Sequence, residues 1–119
     1  MSDHPAREKS KKFALRIIKM YQYLCNEKNE YVLSKQVLRS GTSIGANIRE
    51  SKRAQSTADF ISKQEIALKE ADETQYWLEL LHESGFIDDS MYSSINADCE
   101  EIIKLLVSSI KTSKTTKKL

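Results

Sequence analysis

The sequence predicts an all-α protein, an antiparallel up-down-up-down four-helix bundle, and three observations predict it. The 119 residues include one proline and three glycines, so chain breakers are scarce. Apolar residues recur at steps of three and four in four separate segments. No sustained alternation of period two and no hairpin signal competes with them. Short joints between amphipathic helices make consecutive helices antiparallel neighbours. The length suits a single domain over residues 1–119.

The first helix is expected over residues 5–27. Ser2 or Asp3 can cap it, and Pro5 falls in its first turn, where a missing N–H costs little. Ala14, Ile17, Ile18, Tyr21, Leu24 and Cys25 form its apolar stripe. The run NEKNEY then breaks the pattern and reads as a connection.

The second helix is expected over residues 34–54. At 100° per residue, Val37, Leu38, Gly41, Ile44, Gly45 and Ile48 fall on one side. Glycine inside a helix costs about 1 kcal/mol relative to alanine. Gly41 and Gly45, beside Ile44, Asn47 and Ile48, therefore imply a helix-packing motif rather than a turn. Roughly opposite lies a stripe of Lys35, Arg39, Thr42, Ala46, Arg49 and Arg53.

The third helix is expected over residues 57–84. Ser56 followed by Asp59 resembles a capping box. Phe60, Gln64, Ala67, Ala71, Thr74, Leu78 and Leu81 then repeat as an a/d-type seam, and Gly85 supplies the stop. The fourth helix is expected over residues 89–111, with Ile95, Cys99, Ile102, Ile103, Leu106 and Ile110 inward. Residues 112–119 are polar and basic, and a flexible tail is expected there.

Composition excludes several classes of function. No run approaches the roughly 18 apolar residues a membrane span needs, and the first residues lack the apolar core of an export signal. Cys25 and Cys99 lack CxxC spacing and read as reduced thiols, so a cytoplasmic protein is expected. Gly41 and Gly45 are not followed by the Lys-Ser/Thr of a phosphate loop. Glu79 and His82 have Glu-x-x-His spacing, but a di-iron bundle needs two such pairs and two more glutamates. No GxSxG elbow is present. No enzyme, cofactor, metal or small-molecule substrate is expected.

The charge is uneven along the chain. Residues 31–56 hold Lys35, Arg39, Arg49, Lys52 and Arg53 against Glu50 alone. Residues 57–87 hold seven acids against Lys63 and Lys69. The stripe of Lys35, Arg39, Arg49 and Arg53 suits a phosphate backbone. It equally suits pairing with acids of the third helix. Ile66, Glu70, Glu73, Trp77 and Leu80 lie outside the bundle seam of the third helix and form a candidate oligomer interface.

The run SGTSIGANIRESKRAQSTADFISKQEIALKEADETQYWLELL resembles the bacterial four-helix-bundle family of the 23S rRNA intervening-sequence protein. SIGANIRES, STADF and ALKEADETQYWLELL carry the likeness, which extends over about residues 13–108. The matched positions are Ser43, Ile44, Asn47, Ile48, Glu50 and Glu70. Ser51 stands where the family often has glycine. The resemblance implies a cytoplasmic protein with no catalytic residues that forms a ring-like homo-oligomer, a pentamer. RNA or a ribonucleoprotein is the expected partner, with Lys35, Arg39, Arg49 and Arg53 as its phosphate contacts. Members are encoded within rRNA intervening sequences, and a related branch is the accessory protein of diversity-generating retroelements. The alternative is a scaffold or accessory subunit, for example of a reverse transcriptase, whose basic face is used in intersubunit ion pairs.

Overall fold

The computed structural model describes residues 5–117, all but three short connections of which are helical. Helix α1 spans Pro5–Lys28, α2 Leu33–Ser51, α3 Thr57–Glu83 and α4 Asp89–Lys117. Consecutive helices pack against each other, and α1 closes the bundle against α4 across its sparsest seam. The result is an antiparallel four-helix bundle of 52 × 22 × 21 Å. No helix among the described residues is long and apolar enough to cross a membrane.

Local chemistry sets the ends of the helices. Ser56 Oγ accepts from the Asp59 N–H at 3.0 Å, and Asp59 Oδ2 accepts from the Gln55 N–H at 3.3 Å. This is the expected box, closed one residue early. Gly85 takes a φ of 84°. Around it the Phe86 N–H reaches Leu81 O at 2.9 Å and the Gly85 N–H reaches His82 O at 3.1 Å, a Schellman stop. The caps expected from Ser2 or Asp3 lie outside the described residues.

The α1–α2 connection holds a surprise in Glu30, which is buried. Its carboxylate accepts from the N–H groups of Val32, Leu33 and Ser34 at 3.1, 2.9 and 2.7 Å. Glu30 therefore caps α2. Burial alone would raise its carboxyl pKa, but these N–H bonds outweigh burial and hold it below the usual carboxylate range. Asn29 beside it adopts φ 52° in the left-handed region, which asparagine tolerates.

Two boundaries differ from expectation. Helix α2 ends at Ser51 rather than Ala54. The N–H groups of Lys52, Arg53 and Ala54 each bond three residues back, a tightened final turn. Helix α4 continues to Lys117 where a tail is expected from Thr112. Thr115 Oγ1 bonds back to Lys111 O at 3.0 Å, and Lys114 pairs with Glu65 of α3 at 3.0 Å. Lysines also favour the negative end of a helix. Residues 118–119 lie outside the described residues.

The core stripes of α3 and α4 match expectation except at their edges: Ile61 is buried rather than Phe60, and Ile103 is half-buried. On α1 the stripe is turned about one position. Phe13 and Met20 are buried, whereas Ile18 is 37% exposed. On α2 the buried side includes Ser34, Ser40 and Ser51 alongside Val37, Gly41, Ile44 and Ile48. Ser40 and Thr74 share a hydroxyl hydrogen bond of 2.8 Å across α2 and α3. Ser51 donates to Ile48 O at 2.6 Å and accepts from Gln64 Nε2 at 3.4 Å.

The glycines set the α1/α2 spacing. A Cβ on Gly41 would lie 2.9 Å from Ile17 Cγ1, and one on Gly45 would lie 3.3 Å from Ser10 Oγ. Asn47 keeps to its own helix, donating to Ser43 O at 2.9 Å. Cys25 and Cys99 are free thiols. Burial pushes Cys99 up to about 12, which leaves it unreactive.

Candidate nucleic-acid interface

The basic stripe of α2 is one row in sequence and three environments in space. Arg39 leans toward α3. Its Nη1 bonds Glu70 Oε1 at 3.2 Å and its Nη2 bonds Glu73 Oε2. Glu73 also accepts from Trp77 Nε1 at 3.1 Å. The pairing with Glu73 raises the Arg39 guanidinium pKa further. The Arg39 and Trp77 donors hold the Glu73 carboxyl below its usual range. The charge of Arg39 is thus met within the chain, as are Glu70 and Glu73 of the candidate oligomer face.

Arg49 leans the other way, toward α1. It lines a cleft of about 450 Å³ with Arg7, Lys11, Ala14, Gly45 and Ala46. Small residues form much of that lining because the α1/α2 approach demands them. Among the described residues the one acid there, Glu50, pairs with Lys63 of α3 at 3.1 Å. Beyond the cleft, Lys52 follows the end of α2. Partial desolvation, and secondarily the neighbouring Arg7, lower its ammonium pKa. Arg53 lies in the turn after α2, not on the helix. Lys35 is exposed near the opposite end of α2. Among the described residues no carboxylate forms an ion pair with Arg7, Lys11, Arg49, Lys52 or Arg53.

The structure therefore separates the four stripe residues and adds Arg7, Lys11 and Lys52. Sequence spacing could not find Arg7 and Lys11, because they join Arg49 only through packing of α1 on α2. A second cleft, about 620 Å³, opens nearby around Lys52, Gln55, Ser56, Phe60 and Thr112. Polar and basic groups from all four helices thus gather at one end of the bundle.

The outer face of α3 has a different character. Ile66 is 40% and Tyr76 is 54% exposed. Tyr76 meets Trp77 with ring centroids 5.2 Å apart. Trp77 and Leu80 are half-buried, and Trp77 also packs on the core. Tyr76 is the residue that seam counting overlooks. At the far end, His82 Nε2 contacts Asp89 Oδ1 at 2.6 Å and its ring stacks on Tyr92. Among the described residues no three His, Cys, Asp or Glu side chains converge as a metal site.

Comparison with known proteins places the chain beside one family and beside solved structures of the same fold. The family model described as 23S rRNA-intervening sequence protein matches residues 2–108. A crystal structure from Bacteroides thetaiotaomicron VPI-5482, described as a protein with unknown function from the S23 ribosomal protein family, is 60% identical with a TM-score of 0.88. The match covers 89% of this chain and 98% of that one. No curated protein matches significantly. With the motifs of α2 and α3 inside the matched span, and the same fold in a 60%-identical relative, the chain belongs to the 23S rRNA-intervening sequence protein family.

Proposed function

We propose that the protein is a non-enzymatic, cytoplasmic binding module for RNA or a ribonucleoprotein, and that the α1/α2 cleft is its phosphate-binding surface. One observation carries the reading: Arg7, Lys11 and Arg49 surround a cleft lined by small residues, and among the described residues the only acid there is already paired with Lys63. Small lining residues let a phosphate backbone approach closely, and cations on both sides neutralise it. Lys52 and Arg53 extend the surface toward the bundle end. Arg39, held by two glutamates, is a minor contributor.

The test is RNA binding followed by fluorescence anisotropy across a salt series. Affinity should fall with salt, and Lys11→Ala with Arg49→Ala should reduce the logarithmic slope by about 0.7–0.9 per lost phosphate contact. A flat salt response, or unchanged binding in the double variant, overturns the reading.

A second reading concerns self-association through the outer face of α3, supported by the exposed Ile66 and Tyr76 beside Trp77 and Leu80. The family resemblance makes a pentameric ring the form to test. Light scattering should give a multiple of the chain mass that falls on Ile66→Lys. A monomeric mass for the unaltered protein overturns it.

A further inference from the structure

At one end of the bundle α1 and α3 begin, α2 ends and the late turns of α4 pass by. A hollow of about 290 Å³ lies there, and the phosphate-binding reading does not use it. Every helix gives it an apolar wall: Pro5 and Ala6 from α1, Ile48 from α2, Phe60 from α3 and Leu105 from α4. Phe60 is the residue that the seam pattern of α3 places in the core. The structure buries Ile61 in that role and leaves Phe60 half-buried in this wall.

Two cations complete the lining. Arg7 and Lys52 are both exposed, and among the described residues no carboxylate lines the hollow with them. The acids nearest along the chain are engaged elsewhere. Glu101, about one turn before Leu105, pairs with Lys9 at 3.0 Å. Asp59, beside Phe60, accepts the Gln55 N–H at 3.3 Å. Lys52 is partly desolvated and also feels the charge of Arg7, and both effects lower its ammonium pKa. Two like charges side by side at an apolar wall are unfavourable until an anion joins them.

We propose that this hollow binds a small aliphatic carboxylate, its chain against Ile48, Phe60 and Leu105 and its head on Arg7 and Lys52. Ligand sites are characteristically apolar hollows in which a few polar groups fix the orientation of the occupant. The planar fork of an arginine matches the two oxygens of a carboxylate, and the lysine adds a second positive charge. Ser108 and Ser109 offer hydroxyls on the α4 side. The volume lies at the lower edge of the usual range for ligand pockets, which restricts the occupant to a short chain. The inference stands apart from the RNA reading, because it requires neither Lys11 nor Arg49.

Equilibrium dialysis of the full chain against butyrate, hexanoate and octanoate tests it, with octylamine as the cationic counterpart. Affinity should rise about two- to fourfold for each methylene added, as the wall takes up apolar surface. Octylamine should bind at least about tenfold more weakly than octanoate, because its charge meets two like charges. Lys52→Gln should weaken octanoate about three- to tenfold. Lys52 is exposed and follows the last turn of α2, so the fold should persist in that variant. Leu105→Glu, at a half-buried position, should abolish binding by setting a carboxylate in the wall. Lys19→Gln removes an exposed cation about 18 Å further along α1 and should change nothing.

Affinity independent of chain length, octylamine binding as well as octanoate, or equal losses in Lys52→Gln and Lys19→Gln overturns the proposal. No octanoate binding at millimolar concentration overturns it too. If Lys52→Gln then weakens RNA, the hollow belongs to the phosphate surface instead. Octanoate binding by a protein that binds no RNA supports this site and removes the phosphate-cleft reading.

Discussion

Helix α2 has two neighbours and meets them by different means. Toward α1 the seam is specified by volume: Gly41 against Ile17 and Gly45 against Ser10, with no room for a larger residue at Gly41. Toward α3 it is specified by pairing: Ser40 with Thr74, Ser51 with Gln64, Arg39 with Glu70 and Glu73, and Lys63 with Glu50. The difference decides where charge is left over. A seam built from matched polar groups uses up its cations. A seam built from shape gathers Arg7, Lys11 and Arg49 on its rim, and among the described residues none of them has a carboxylate partner. The same helix thus carries Arg39, paired with two glutamates, and, ten residues on, Arg49, which has no carboxylate partner among the described residues.

The largest effects should come from filling the shape-specified seam. Gly45→Leu is expected to abolish cooperative melting. Gly41→Ala should cost about 1–2 kcal/mol net, because overpacking against Ile17 exceeds the roughly 1 kcal/mol gained in helix propensity. Urea denaturation measures both, and unchanged midpoints would mean the seam tolerates volume and the contrast is false. Next comes the pairing-specified seam. Thr74→Val leaves the buried Ser40 hydroxyl without its α3 partner and should cost about 1–3 kcal/mol. Adding Ser40→Ala should recover much of that loss. If the double variant is as unstable as the single, volume rather than pairing governs this seam too.

A smaller effect is carried by pH. Because the Glu30 carboxyl is lowered in the folded chain, its contribution is complete above the unfolded value near 4.3. It is lost as pH falls through the folded value. Thermal melts should therefore show Glu30→Gln less stable than wild type at neutral pH, with the gap closing below about pH 4. A gap that persists on acidification would remove the charge from the capping argument. The smallest effect is expected at Arg39. Arg39→Ala should change stability by about 0–1 kcal/mol, as exposed pairs do. It should weaken RNA binding far less than Arg49→Ala, and equal losses at the two positions would erase the distinction between the seams.

Much of this architecture was legible in the sequence, for identifiable reasons. Period, breakers and caps are local signals, so four helices, the Ser56–Asp59 box and the Gly85 stop could be read directly. The stripe of α1 was misplaced because Leu15, Ile18 and Tyr21 make it apolar on several sides, and only packing chooses among them. Glu30 was hidden inside a polar connection, since nothing local distinguishes a buried carboxylate from a solvated one. Buried Ser40 needed its partner Thr74 to be seen. At the candidate site, Lys35, Arg39 and Arg49 lie exposed on α2 while Arg53 falls in the turn beyond it, and the fate of each cation depended on helices far away in sequence.

One hollow is lined by both Pro5 and Ser109, which brings the start of α1 beside the late turns of α4. About two turns of α4 run on from there to Lys117. A linker from Lys117 back to Pro5 could join the two ends of the bundle, and new ends could be opened in the Gly85 turn, where a substituted side chain would meet nothing within 4 Å. Such a circular permutant would make α3 the last helix and α4 the first while preserving every seam. The order of the helices along the chain is in this sense separable from their arrangement in space.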